Sequence, residues 1–443
     1  MFTLSNLKAI FAPMSKIRQQ SIQASFVTYF GFAIGLLNTY FFLRPDIFSS
    51  EQYGLYNVFN SLAMLMLSIS SLAMPSYVMK FYHYYNDHLP LRKNDLVTWA
   101  LVISTVGFLV LLILGISFEK LVTQKYSTNS PLFVSYYYWV FPLGYGLTVF
   151  NLLEAYTISI QKPVLVTFLR EVQWRCLTLL LILMMIFGFI GDFDMFIKCY
   201  AFTYPAIAIT LLSYLLITRQ LHFTFQVSKV TRKFAKKIVT FSVLLYGTTI
   251  VFNLSQVFDT LVIASLLDNG LQKAGIFGLA TILTSVVQAP QRGIISASIP
   301  HLARAWKDKK LETIKRIYER SSINQLLFAS LLFMLILLNY NEAIITLHLT
   351  PDYLLGFNAF IFLGLTRIVD MGTGVNNEIL GTSNHWRFQL LCGIILLLLM
   401  LPLTYILAKK MDLLGPPVAN LISVGIYNAI RISFLWKKYR MQP

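Results

Sequence analysis

Apolar positions in this chain do not alternate, nor do they keep to one stripe of short helices. They run on for twenty residues or more between short polar breaks. Crossing the hydrocarbon of a bilayer takes about 20 mostly apolar residues in a helix. Twelve segments reach that length: 22–43, 54–79, 97–117, 132–160, 164–190, 195–218, 238–266, 274–300, 321–346, 356–380, 388–408 and 416–436. A transmembrane β-barrel would show alternating segments of about ten residues, and these runs are too long and too uniform for that. The pattern predicts an all-α polytopic membrane protein of about twelve transmembrane helices, called spans 1–12 below. The breaks are short, so no soluble domain is expected between spans.

Composition agrees. Only 12% of the 443 residues are charged and 56% are hydrophobic, against about 25% charged in soluble domains. A soluble enzyme, a disordered chain, a fibrous repeat and a disulfide-rich secreted domain are thereby excluded. The net charge of +17 would point to nucleic acid in a soluble protein. In a membrane protein it reads instead as the cytoplasmic Lys/Arg bias. With the N-terminus inside, 26 of the 36 cations fall on the inner side and 7 on the outer, while Arg292, Arg367 and Arg431 lie within spans. This split predicts both termini in the cytoplasm.

Thirteen of the inner cations sit in residues 219–237 and 301–320. The second stretch, HLARAWKDKKLETIKRIYER, reads as an amphipathic helix on the inner surface. Leu302, Ala305, Trp306 and Leu311 would face acyl chains and the lysines would face anionic headgroups; a solvated connector is the plainer alternative. Cys176, Cys199 and Cys392 fall in apolar stretches and read as small buried hydrophobes. The six histidines lack metal-ligand spacing, so no metal site is expected. The first apolar run, from Ile22, is too long for the core of a cleavable signal peptide.

Twelve spans divide as six and six: residues 1–218, a connecting loop 219–237, and residues 238–443. Weak internal similarity supports a duplication. Tyr29-Phe30-Gly31 in span 1 matches Leu245-Tyr246-Gly247 in span 7. Tyr53-Gly54-Leu55-Tyr56 opening span 2 matches Ala274-Gly275-Ile276-Phe277 opening span 8. Met74-Pro75-Ser76 and Ala289-Pro290-Gln291 stand near the ends of the same two spans.

Helices associate in lipid through small residues and packing alone, so stripes of polar residues within spans carry information about water or substrate. Span 2 aligns Asn57, Asn60, Ser61, Ser68 and Ser71. Span 7 aligns Thr249, Asn253, Gln256, Asp259 and Thr260; span 8 aligns Thr281, Ser285, Gln288, Arg292 and Ser296. Span 10 aligns Arg367, Asp370, Gly374, Asn377 and Glu378. Each could be an interhelical hydrogen-bond seam, but four together favour a water-accessible central cavity. Ionisable residues within spans cost about 2.5–3.5 kcal/mol each on insertion scales. Arg367 and Asp370, at i and i+3, can neutralise each other. Glu171 and Arg175 form an i,i+4 pair at the inner start of span 5. Arg292 has no acid within a helical turn and stands beside Pro290 and Gly293, where a helix bends, which makes it the leading anion-site residue. Asp259 has no cation at i±3 or i±4. It is read either as a carboxylate that takes up H⁺ or Na⁺ during a cycle or as half of a structural pair, with Glu154, Asp370 and Glu378 as fallback coupling residues. No phosphate loop, nucleotide turn or paired-acid site is present, so the chain is read as a carrier without a cofactor and not as an enzyme.

Phe48-Ser-Ser-Glu51-Gln-Tyr-Gly54-Leu-Tyr56, Ala73-Met-Pro75-Ser76 and Lys80-Phe81-Tyr82 resemble the polysaccharide transporter family. These are the Wzx-like O-antigen flippases, relatives of the lipid II flippase and the MATE drug exporters in the MOP superfamily. The resemblance implies two six-helix halves around a V-shaped cationic cavity. It further implies translocation of an undecaprenyl-pyrophosphate-linked oligosaccharide across the bacterial inner membrane, for surface polysaccharide such as lipopolysaccharide O-antigen. Lipid II flippases carry a charged cluster inside their first helix, and here only Asn38 and Thr39 stand there. On this reading Arg292, with Arg367, holds the pyrophosphate. Gln288, Asn57, Asn60, Asn253 and Gln256 hydrate the sugars, and the protein works by alternating access as a monomer driven by H⁺ or Na⁺. The rivals are a MATE-type cation-coupled drug antiporter on the same fold and a membrane glycan polymerase or ligase. The latter usually needs a larger outer loop than this chain has.

Overall fold

The structure, a computed structural model, describes residues 16–383 and 385–443. Lys8 lies outside the described residues, as do the side chains of Lys16, Arg18, Ser296 and Arg387. The main helices are α1 (Lys16–Leu43), α2 (Ser50–Ser70), α3 (Met74–Asn86), α4 (Leu96–Ser117), α5 (Val140–Ser159), α6 (Trp174–Ile186) and α7 (Thr203–Ile217). They continue with α8 (Lys229–Leu266), α9 (Gly270–Lys307), α10 (Leu311–Thr346), α11 (Phe357–Gly372), α12 (Asn376–Thr382), α13 (Trp386–Met411) and α14 (Gly415–Tyr439). In hydrocarbon every backbone N–H and C=O must be satisfied within its own segment, which is why β-favouring runs such as Leu101–Leu114 are helical. Val106, Ile113 and Leu114 of α4 and Leu331, Leu335 and Leu338 of α10 are exposed, as residues that pack against acyl chains should be.

All twelve predicted stretches are helical over most of their length. Among the described residues eight segments are long and apolar enough to cross a membrane. The count is nine if α2 and α3, bent by 50°, form one broken span. One of the eight, Leu391–Tyr439, holds two helices in its 49 residues, separated by a 3-10 turn over Asp412–Leu414. The fifth predicted stretch is in pieces, with a π-helical Phe168–Gln173 between Pro163–Thr167 and α6.

The chain forms two compact units. One comprises residues up to Phe41, Met66–Leu114 and Trp139–Tyr246; the other comprises Phe42–Leu65, Gly115–Tyr138 and Gly247–Pro443. The units therefore do not follow chain order. By the predicted topology, the stretches that join the C-terminal part are the outer ends of spans 1–4.

The first unit packs Tyr77, Val78, Phe81 and Tyr85 of α3 against Leu96 and Ala100 of α4, Leu153 and Tyr156 of α5, and Leu211 and Leu215 of α7. The predicted loop 219–237 is shorter than expected, because helix α8 already starts at Lys229. Ser228 stops the extended part: its hydroxyl accepts from Thr231 N at 3.1 Å, the contact of an N-cap. Asp95, fully buried, accepts from both Ser228 N and Thr231 Oγ1 at 2.8 Å. Thr231 Oγ1 also lies 2.8 Å from the Tyr85 hydroxyl, which lies 2.8 Å from that of Tyr77. Tyr156 donates to the Gln220 carbonyl at 2.6 Å. The connection is thus anchored along this unit, and five cations expected in a loop (Lys229, Arg232, Lys233, Lys236 and Lys237) project from a helix.

In the second unit residues 301–320 also depart from expectation. They are no surface-lying helix. They form the inner ends of α9 and α10, joined by a turn in which Lys309 has a left-handed φ of 55°. Leu302 and Ala305 are buried with Ile314, Tyr318, Ile379, Leu380 and Leu435, and Trp306 Nε1 donates to the Ile379 carbonyl at 3.1 Å. The apolar face that could have entered a membrane is covered by the protein's own chain, and Leu311 stays exposed. A cysteine placed at Lys229 or Lys309 is expected to resist a membrane-impermeant thiol reagent in intact cells and to react after the cells are opened. Labelling of intact cells at either position would reverse the orientation.

Candidate functional site

Seven residues read as substrate-binding, and three of the four coupling candidates, belong to the second unit; Glu154 belongs to the first. Asp259, on α8, is buried. Its Oδ2 accepts from Asn420 Nδ2 of α14 at 2.5 Å and its Oδ1 from Thr404 Oγ1 of α13 at 3.2 Å. Among the described residues it forms no ion pair. Its hydrogen-bond partners are thus two neutral donors, with Arg367 the cation within electrostatic reach. Asn253, on the same helix, is buried, and Gln256 is exposed.

A second polar centre surrounds the interruption between α11 and α12, where Gly374 adopts φ 61°. A Cβ there would lie 2.3 Å from Ser322 Oγ and 2.7 Å from Ser321 Oγ, so the break requires glycine on both counts. Arg431 of α14, 2% exposed, ties the two sides of the break together. Its Nη2 donates to Asn428 Oδ1 at 2.5 Å and its Nη1 to Asn377 Oδ1 at 3.1 Å. Asn428 Nδ2 in turn donates to Asp370 Oδ1 at 3.2 Å. Arg431 stands 4.0 Å from Asp370, and its guanidinium lies 3.8 Å from the Tyr427 ring centroid, a cation–π distance. Gln389 donates to Asn377 at 2.6 Å, and Asn377 to Glu378 at 3.2 Å.

This corrects the pairing expected from sequence. Asp370 is served by Arg431 and Asn428, and no Arg367–Asp370 ion pair occurs among the described residues. Adjacency on one helix lost to a partner from another. Arg431 and Asn428 were missed as site residues, although the signal was there. Asn420, Ser423, Tyr427 and Arg431 step along span 12 by three or four, as in the stripes recognised elsewhere.

Arg292 is exposed on α9, which runs unbroken through Pro290 and Pro300. Nearby Gln288 donates to Gln291 at 2.8 Å. Arg367, half-buried on α11, is within electrostatic reach of Asp370, Asp259 and Arg292. Two guanidinium groups and two carboxylates are thus gathered by α8, α9 and α11. In the first unit Glu154 accepts from Arg170 at 2.7 Å, and Glu171 pairs with Arg175 at 2.5 Å, as the i,i+4 spacing predicts.

Asn60 of α2 turns back on its own helix, donating to the Tyr56 carbonyl at 2.8 Å, while Asn57 packs over Gly278 of α9. A Cβ at Gly278 would fall 2.3 Å from Asn57 Nδ2. One turn earlier the backbones touch. A Cβ on Gly54 would lie 1.7 Å from Leu271 O and 3.1 Å from Gly275 N. Reciprocally, a Cβ on Gly275 would lie 2.3 Å from Ser50 O and 3.1 Å from Gly54 N. Ser50 and Leu271 each precede their glycine by four residues, so the contact is two-fold symmetric. The two positions matched as repeat equivalents in the sequence meet each other in space.

Long helices with exposed apolar faces and buried polar networks define a polytopic all-α membrane protein. The family model described as polysaccharide biosynthesis protein matches residues 19–306, and the chain belongs to that family. No curated protein matches it in sequence. Solved structures show the fold. A lipid II flippase MurJ in an inward closed conformation superposes with a TM-score of 0.76 at 14% identity, covering 94% of this chain and 88% of that one. An inward-facing multidrug resistance MATE family transporter of the MOP superfamily gives 0.74 at 11% identity, over 92% and 94%. A MOP superfamily transporter from Pyrococcus furiosus, described as having a binding pocket of reversed polarity, gives 0.61 at 12%, over 95% of both chains. The expected all-α membrane fold agrees with these findings.

Proposed function

We propose that the protein is a flippase that carries an undecaprenyl-pyrophosphate-linked oligosaccharide across the bacterial inner membrane for surface polysaccharide assembly. The observation that carries this reading is Arg292, a guanidinium exposed within a membrane span of a chain from a polysaccharide family. An arginine so placed faces water or an anion and not hydrocarbon. Arg292 with Arg367 contacts the pyrophosphate. Asn57, Asn253, Gln256 and Gln288 contact the sugars, and the isoprenoid tail stays in lipid.

Alternating access needs a source of energy, and Asp259 is the residue assigned to it. Thr404 and Asn420 both donate to its carboxylate, and uptake of a proton or Na⁺ there requires the hydroxyl and the amide to turn their oxygens toward it. A site whose hydration changes between two states binds the ion differently in each. In proteoliposomes with an imposed pH or Na⁺ gradient, Asp259→Asn is expected to lose the gradient response while still binding a lipid-linked oligosaccharide. A wild-type response in the variant would remove Asp259 from the coupling step. Transport by the wild type of cationic drugs and not of lipid-linked oligosaccharide would overturn the flippase reading in favour of an antiporter.

A further inference from the structure

We infer that a groove between the inner ends of α9 and α10 is a binding site for a lipid-borne phosphate group. α9 has 38 residues and α10 has 36, lengths of about 57 and 54 Å at 1.5 Å per residue. A hydrocarbon core of about 30 Å cannot contain them. The hairpin therefore stands out of the membrane past the span limits read near residues 300 and 321. One side of it is the buried seam of Leu302, Ala305, Ile314 and Tyr318. Another side is a cavity of about 500 Å³ whose polar lining is Ser298, His301, Arg304, Asp308, Lys310 and Thr313.

The cations in that lining are only loosely engaged. Arg304 Nε and Lys310 Nζ both reach toward one carboxylate, Asp308, at 3.9 and 4.0 Å, the outer limit of an ion pair. Neither side chain makes a hydrogen bond among the described residues, so their donors remain available to a ligand. Asp308 holds them over the groove without consuming them. The mouth, lined by Ala297, Ser298, His301, Thr313 and Ile317, falls at headgroup depth by the span limits. Ile299 and Ile323, just toward the membrane, are exposed and offer apolar surface to acyl chains. A phosphate there accepts from Arg304 and Lys310 in charge-assisted bonds, with the Thr313 and Ser298 hydroxyls beside it. Two membrane molecules carry this chemistry, an anionic phospholipid and a polyprenyl pyrophosphate.

The test is binding of phosphatidylglycerol to the purified full chain, followed by native mass spectrometry, and needs no transport. Its failure is therefore separable from that of the flippase reading. The double variant Arg304→Ala/Lys310→Ala is expected to weaken binding roughly thirtyfold, since each basic residue at a membrane surface contributes about a fivefold factor. Lys315→Ala/Arg316→Ala removes the same charge from the same hairpin outside the groove and is expected to change binding by less than about threefold. Asp308→Asn, which removes the internal competitor, is expected to tighten it. Equal losses in the two double variants, or no loss in either, would overturn the site and leave only a diffuse basic surface. Displacement of phosphatidylglycerol by undecaprenyl pyrophosphate supports the site and assigns it to the isoprenoid lipid, and resistance to that displacement assigns it to phospholipid. Displacement by free inorganic pyrophosphate at equal concentration would overturn the lipid-borne assignment.

Discussion

Arg292→Ala is expected to abolish export of the surface glycan while leaving the protein in the membrane at wild-type level. Arg292 is exposed on α9, so its side chain is not needed to fill the interior of that unit and its removal creates no cavity. What it removes is a guanidinium able to bind a phosphate through two parallel hydrogen bonds. Arg292→Lys restores the charge but not the fork, and partial export is expected from it. The measurement is surface glycan in a strain dependent on this protein, alongside immunoblots of the membrane fraction. Normal glycan in the alanine variant would dismiss Arg292 as an anion ligand. Loss of the protein from the membrane would make it a structural residue.

Arg431→Ala is expected to act in the opposite way, through folding. Arg431 is 2% exposed and holds Asn428 and Asn377, and through Asn428 it reaches Asp370. Deleting one partner of a buried charged network costs about 3–5 kcal/mol in soluble proteins. Asp370 keeps a side-chain exposure of 26% and can recover some solvation, so the lower end applies. Thermal unfolding of the purified chain should show a clear fall in Tm. Part of that fall should be recovered in the double variant Asp370→Asn/Arg431→Leu, where no charge is stranded. A double variant as unstable as the sum of its two single variants would show that Asp370 and Arg431 are not coupled.

Much of this was readable before any fold was known, for a physical reason. Hydrocarbon tolerates polar groups so poorly that Asp259, Arg292 and the span 10 stripe declared themselves by position alone. Their partners did not. Asp259 meets Thr404 and Asn420, and Asp370 meets Asn428 and Arg431, from helices distant in the chain, whereas sequence spacing reports only neighbours on one helix. Arg367 and Asp370 were therefore paired by adjacency, whereas the ion-pair and hydrogen-bond partners of the Asp370 carboxylate come from span 12. Residues 301–320 failed for a different reason. A helix lying on a membrane and a hairpin packed on its own protein need the same amphipathic pattern. Only the positions of Ile379, Leu380 and Leu435 decide which surface Leu302 and Ala305 cover.

The meeting of Gly54 with Gly275 bears on how such a chain can change over generations. In most of a duplicated protein each copy of a position acquires its own surroundings, and the two drift apart until the likeness fades. Here each glycine is part of the other's surroundings, so neither can gain a side chain without intruding on its twin's helix. A contact that a sequence makes with its own duplicate is an isologous interface folded into one polypeptide. Selection on one half is then selection on both. That mutual constraint holds Gly54 and Gly275, the matched positions of Tyr53-Gly54-Leu55-Tyr56 and Ala274-Gly275-Ile276-Phe277, to glycine together.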